Sequence, residues 1–224
     1  MAVTSALVDS TERVGASGTT STVTGTTWGT AGTGRVLIDA YIKADFTNPI
    51  TSGSIGGISG VVTDGGVSAL GLISAVVAAG TSGNVVSTQG ASDQLYSEFV
   101  VALTGAASAT PTDTIVNTSG GSGNIDVPAG GCVVAYAIAG GSGTWTGATG
   151  VGTHVGVGGA TYSVATFDNA GGALTNRAIS YSTGVGLVVA AFDAGGGGGG
   201  SFSVAADGGT YSITGTAVTL RQKP

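Results

Sequence analysis

"RVLIDAYIK", residues 35–43, decides the fold class, because its apolar residues recur at every second position. Val36, Ile38, Ala40 and Ile42 share one face of an extended chain, and Arg35, Asp39 and Lys43 share the other. Side chains alternate across a strand with a period of two, whereas a helix needs spacings of three and four. The stretch reads as a half-buried strand, with one face on a core and one toward water. "DQLYSEFVVAL", residues 93–103, repeats the pattern. Leu95, Phe99, Val101 and Leu103 lie on one side, opposite Gln94, Tyr96 and Glu98.

Other stretches extend the reading. "CVVAYAIA" (132–139) and "GLVVAAF" (186–192) are apolar on both faces, as strands covered on both sides are. "TYSVATF" (161–167) and "RAISY" (177–181) are shorter strand candidates. "VSALGLISAVVAAG" (67–80) fits neither period cleanly and reads as a strand or strand–turn–strand, with a short helix as the alternative. Glycine doublets at 56–57, 65–66, 120–121, 130–131, 140–141, 158–159, 171–172 and 208–209 punctuate these runs. Short strands between frequent turn signals predict an all-β fold, an antiparallel sandwich of jelly-roll type with long glycine-rich loops. In "TYSITGTAVTLRQ" (210–222) the apolar phase changes, and a bulge near Gly215 would restore it.

Composition sets limits on function. The chain has 224 residues, 44 of them glycine, and only 8% are charged, against roughly 25% in ordinary domains. With 42% hydrophobic residues and a mean hydropathy of +0.42, it is not a disordered sequence. Six basic residues against twelve acids give a net charge of −6. No basic stripe exists to neutralise phosphates, which argues against nucleic-acid binding. Weak self-repulsion favours association, so a homo-oligomer is expected. No run approaches 18 uninterrupted apolar residues, so no membrane insertion is expected. The start, "MAVTSALVDSTERVG", lacks the pattern of a secretory signal.

The residues that carry chemistry are few. Cys132, the single cysteine, sits in an apolar run and reads as an inert buried thiol. His154, the single histidine, lies in "GVGTHVGVGG" with no nucleophile elbow nearby. One His and one Cys cannot supply the usual zinc ligands, and no EF-hand spacing marks calcium. Asp64, Asp93, Asp168, Asp193 and Asp207 sit at apparent turns, where a carboxylate caps local backbone. No catalytic residue, metal site or cofactor is therefore assigned. Trp145, in "GGSGTWTGATG", and Trp28, in "TGTTWGTAGTG", are aromatics flanked by glycine and threonine. With Tyr162 they are candidate binding residues for a surface glycan or a protein interface. The alternative is that the two tryptophans plug the open ends of a sandwich.

Thr20, Thr22, Thr24 and Thr26 alternate, so a strand would place them on one face. No fixed-period repeat of that row follows, which argues against a flat threonine array. Residues 1–30 read as an extended arm or edge strand, and 31–224 as one sandwich. The six glycines from Gly195 to Gly200 then form a loop inside it, since the 24 residues after Gly200 cannot bury a core alone.

The order "GTGRVLIDAYI", "GVVTDGGVSALGLI", "LYSEFVVAL", "VVAYAIAGGSGTW", "YSTGVGLVVAAFDA" is similar to Gly/Thr/Ser-rich jelly-roll or immunoglobulin-like sandwich modules of bacteriophage virion and bacterial surface proteins. The resemblance spans residues 20–220 and is one of pattern, with no shared site motif to transfer. It implies a non-enzymatic fibre, spike or capsid-surface module, made in a host cytoplasm and placed in a virion. Its partners would be copies of itself and other virion proteins. An adhesin or carbohydrate-binding role is the alternative.

Overall fold

In the computed structural model, the described residues are 2–12, 18–43, 49–64, 70–93, 95–156, 159–195, 202–206 and 209–213. They form strands and no α-helix. The first nine strands are β1 (Thr4–Glu12), β2 (Gly18–Thr27), β3 (Val36–Lys43), β4 (Ile50–Ile55), β5 (Ile58–Ser59), β6 (Val61–Asp64), β7 (Leu70–Val76), β8 (Ser82–Asp93) and β9 (Leu95–Thr104). They pair in the nested order of a rolled-up hairpin: β1 with β9, β2 with β8, β3 with β7. That nesting is the jelly roll. It yields two facing sheets, β1-β9-β3-β7-β6 and β2-β8-β4-β5.

The chain then repeats the plan. β10 (Asp113–Asn117), β11 (Ser122–Val127), β12 (Cys132–Ala139), β13 (Trp145–Thr146), β14 (Thr149–Val155), β15 (Thr161–Asp168), β16 (Leu174–Tyr181) and β17 (Gly184–Phe192) follow. Their sheets run β10-β17-β12-β15-β14 and β11-β16-β13. Register is preserved as well as order. Ile38 faces Val101 and Ser74 across its sheet, and Val134 faces Ala190 and Thr166 in the same places. One sequence trace of this repeat survives. Ser52, Gly53, Gly57, Gly60, Val61 and Thr63 recur as Ser142, Gly143, Gly147, Gly150, Val151 and Thr153. Gly57 and Gly147 both hold a positive φ, 78° and 81°, which the turn before the next strand requires.

The four sheets stack into layers. β2-β8-β4-β5 covers one face of β1-β9-β3-β7-β6 over a core including Trp28, Leu37, Tyr41, Ile73 and Val100. The opposite face packs on β10-β17-β12-β15-β14 through Ile38, Leu72, Phe99, Val101, Tyr136, Val164 and Phe192. A third core, with Ile125, Val133, Ile179 and Leu187, joins that sheet to β11-β16-β13. Fully burying each large side chain contributes about 1.5–3 kcal/mol, so these layers are the main source of stability. β18 (Phe202–Ala206) and β19 (Gly209–Ile213) pair with each other and with no other described strand.

The stacking corrects one expectation. β3 is not half-buried: Arg35 and Asp39 are each 1% exposed, because a further sheet covers the face that alternation assigned to water. Glu98 on β9 is likewise 2% exposed. Arg35 is accommodated by carbonyls, its guanidinium donating to Val77 O (2.7 Å), Gly80 O (2.9 Å), Ala79 O (3.0 Å) and Trp28 O (3.2 Å). The stretch 67–80 holds the strand β7. Residues 1–30 supply two edge strands, β1 and β2. Thr20, Thr22 and Thr24 are exposed, but Thr26 is buried, because the register of β2 shifts between Val23 and Thr26 around the left-handed Gly25. Gly195 donates to the Gly105 carbonyl at 2.5 Å. The other five glycines of that run and the expected bulge near Gly215 lie outside the described residues.

Candidate functional site

The structure separates the three candidate binding residues. Trp28 is 5% exposed and fills the core beneath β2 and β8. Its ring lies over backbone without side chains: a Cβ at Gly56 would come within 2.7 Å of it, and one at Gly80 within 3.3 Å. Tyr162 is 4% exposed and packs between the two middle sheets. Neither presents an aromatic face to a ligand. Trp145 differs, being half-buried and lining a cleft of about 470 Å³.

The cleft forms between β13 and β16 of the outer sheet and β14 and β15 of the next. Trp145 stands opposite Tyr181 in the β13–β16 ladder, with ring centroids 4.9 Å apart and planes tilted by 53°. Trp145 Nε1 donates to Ser163 Oγ at 2.9 Å. Ser163 Oγ donates in turn to Gly152 O at 3.1 Å. With its one proton used there, the hydroxyl accepts from Thr153 Oγ1, 3.0 Å away. Tyr181 Oη accepts from Gly143 N at 3.0 Å. The turn after Trp145 is clamped by Arg177, whose Nε and Nη2 donate to Gly147 O at 2.9 and 2.7 Å. The guanidinium carbon lies 3.5 Å from the centre of the Phe167 ring. The indole is therefore held by its own hydrogen bond and by a fixed turn. No charged side chain lines the cleft.

Elsewhere the polar groups hold the layers together. Asp168 accepts from the Ser5 backbone (3.1 Å) and hydroxyl (2.6 Å), joining β15 to β1 across the two halves. Asp64 accepts from Ile50 N (2.9 Å) and Tyr41 Oη (3.1 Å). These two acids thus bridge distant strands instead of capping local turns. Asp113 and Asp126 border a smaller cleft of about 240 Å³, where their carboxylates accept from the backbones of Thr114, Asp126 and Asn176. Among the described residues, no group of three or more His, Cys, Asp or Glu is placed to hold a metal.

His154 lies on β14, its ring stacked on Phe99 at 4.4 Å and its Nδ1 2.8 Å from Ser97 Oγ. Burial lowers its pKa, and the nearby Glu12 opposes that shift. Ser97 is wholly buried, so this pair offers substrate no accessible nucleophile. Cys132 is also wholly buried, and burial pushes its thiol pKa up, with the charge of Asp168 adding to the effect.

Tyr181, Ser163 and Thr153 are site residues that the strand reading did not single out. Their one signal is the match of 142–154 to 52–64, in which Trp145 takes the place of Ile55. No family model, no curated protein and no solved structure matches this chain.

Proposed function

We propose that this chain is a non-enzymatic structural subunit that packs against copies of itself and other proteins on an assembled surface, such as that of a phage virion. One observation carries the reading: the described edge strands lack the basic and proline residues that commonly guard exposed edges. The four stacked sheets end in β1, β6, β2, β5, β10, β14, β11 and β13, and these eight strands carry no Lys, Arg or Pro. Soluble monomers blunt exposed edges with such residues. Here Val155 on β14 is 61% exposed and Ile58 on β5 is 44% exposed. Neighbouring subunits would cover these edges by strand addition and apolar burial. Jelly rolls recur in capsid and lectin domains, which supports the reading by analogy alone.

The test is assembly. Native mass spectrometry and light scattering should show a defined homo-oligomer, and Val155→Lys should shift it toward monomer without changing the far-UV circular dichroism. Proteomics of purified phage particles should recover the chain. A protein that stays monomeric at high concentration and is missing from particles refutes the proposal.

A further inference from the structure

We propose that the cleft at Trp145 binds a neutral saccharide, with one pyranose ring seated against Trp145 and Tyr181. The two halves of the molecule are each other's control. In the first half the matching space is filled. Ile73 packs onto Gly53 and Gly60, where added Cβ atoms would lie 2.9 Å from its Cγ1 and 2.5 Å from its Cγ2. Tyr41 lies over Gly71, where an added Cβ would come within 2.8 Å of Tyr41 Cε2. In the second half, register places Ala165 where Ile73 stands and Ala137 where Tyr41 stands. Two large side chains are thus replaced by alanines, both wholly buried and neither of them in the lining of the cleft. The equivalent glycines, Gly143 and Gly150, both line the opening. They are met by Tyr181 and Trp145 instead: an added Cβ would lie 2.7 Å from Tyr181 Cε1 and 3.0 Å from Trp145 Cδ1. The aromatic pair thus takes the glycine contacts that Ile73 makes in the first half, and both rings also line the cleft.

The lining chooses the occupant. About 470 Å³ lies within the usual range for small-molecule sites. The absence of charged side chains disfavours an anionic ligand, whose lost hydration nothing would replace. The hydroxyls of Thr144 and Thr153 are bonded to Ser182 and Ser163 but keep lone pairs that a purely apolar ligand would not use. A neutral sugar satisfies both conditions. Its C–H face is weakly positive and suits the negative face of an aromatic ring, while its hydroxyls pair with the threonines and the glycine backbone. The cleft borders the edge strands β13 and β14, so binding is measured on Val155→Lys as well as on wild type and each proposal is scored by its own readout.

The experiment is a glycan array with neutral and acidic members, followed by saturation-transfer NMR with the methyl glycosides of neutral hexoses and N-acetylhexosamines. Wild type should bind a neutral ligand. Trp145→Ala should weaken binding at least tenfold. Thr153→Val, which removes a hydroxyl of the lining, should weaken binding several-fold while keeping the unfolding temperature of wild type. If Thr153→Val does not fold, Thr144→Val, expected to weaken binding several-fold, takes its place. Trp28→Phe should leave binding unchanged. The proposal is overturned by no binding of neutral glycans, by binding of acidic glycans or aromatic peptides only, or by equal binding in wild type and the cleft variants. Loss of binding with assembly intact, or the reverse, shows which of the two proposals has failed.

Discussion

Asp39→Asn separates the charge of a buried carboxyl from its shape. Asp39 is 1% exposed and stands in register between Ile73 and Val100. Its Oδ1 has no hydrogen-bond partner. Burial pushes its pKa up to about 8, because the ionised form loses its hydration. An unfolded aspartate titrates near ~3.9. Between those values the folded protein keeps a proton that the unfolded chain has released. The folding stability from this group is therefore whole below about pH 4, falls as pH rises, and is gone above about pH 8. At about 1.4 kcal/mol per pH unit, wild type loses on the order of 4 kcal/mol between pH 4 and pH 7 through this one residue. The asparagine amide does not titrate, so the variant lacks that slope. Urea unfolding at pH 5, 7 and 9 should find the advantage of Asp39→Asn over wild type growing by several kcal/mol from pH 5 to pH 9. A difference that does not change with pH would refute the reasoning, since it would mean that the folded carboxyl ionises as freely as the unfolded one.

Arg35→Met keeps the length of the side chain but strips donors from the carbonyls of Trp28, Val77, Ala79 and Gly80. Thermal unfolding should report a loss of about 3–5 kcal/mol, and no loss would show that water replaces the guanidinium. His154→Phe retains a ring against Phe99 but removes the contact with Ser97. The pKa of His154 is lowered by folding, so its contribution is present above an unfolded value near ~6.5 and is lost as pH falls through the folded one. The variant should lack that acid-side slope in urea titrations, and a slope equal to that of wild type would assign it to other groups. The buried Cys132 thiol should resist Ellman's reagent at pH 8 in the native protein and react once per chain in urea. Fast native labelling would contradict the closed middle layer.

Much of the strand content was legible because β-strands write a period of two into the chain. The faces of β3 and β9 that meet the second half follow the alternation of "RVLIDAYIK" and "EFVVAL", while β12 and β17 are marked as covered strands by runs that are apolar on both faces. What alternation could not show is that a second sheet lies over the other face. Arg35, Asp39 and Glu98 look like solvent-facing residues locally, and only partners far along the chain make them buried. The two tryptophans make the same point. Trp28 and Trp145 share glycine and threonine neighbours, yet Gly56, Gly80 and Gly83 give Trp28 a bed inside the core. Those glycines lie 28 to 55 positions away in sequence, beyond the reach of a local reading. The repeat was hidden for a related reason. Packing constrains which positions are apolar and which turns need glycine, and leaves identity free nearly everywhere else.

The residues that differ between the halves argue that one half is built to hold and the other to bind. Replacing a packed Ile by Ala costs about 2–5 kcal/mol where the space stays open. The second half places Ala165 and Ala137 where the first half has large side chains, and both are wholly buried, with Trp145 and Tyr181 packed on the facing glycines instead. Without support, the outer sheet would collapse into the cleft beside that pair. Here the opening is propped by an aromatic pair, a hydrogen-bonded indole and an arginine-clamped turn. Rigid support around an unfilled space is what a ligand site requires, since pre-organised walls lower the ordering cost of binding.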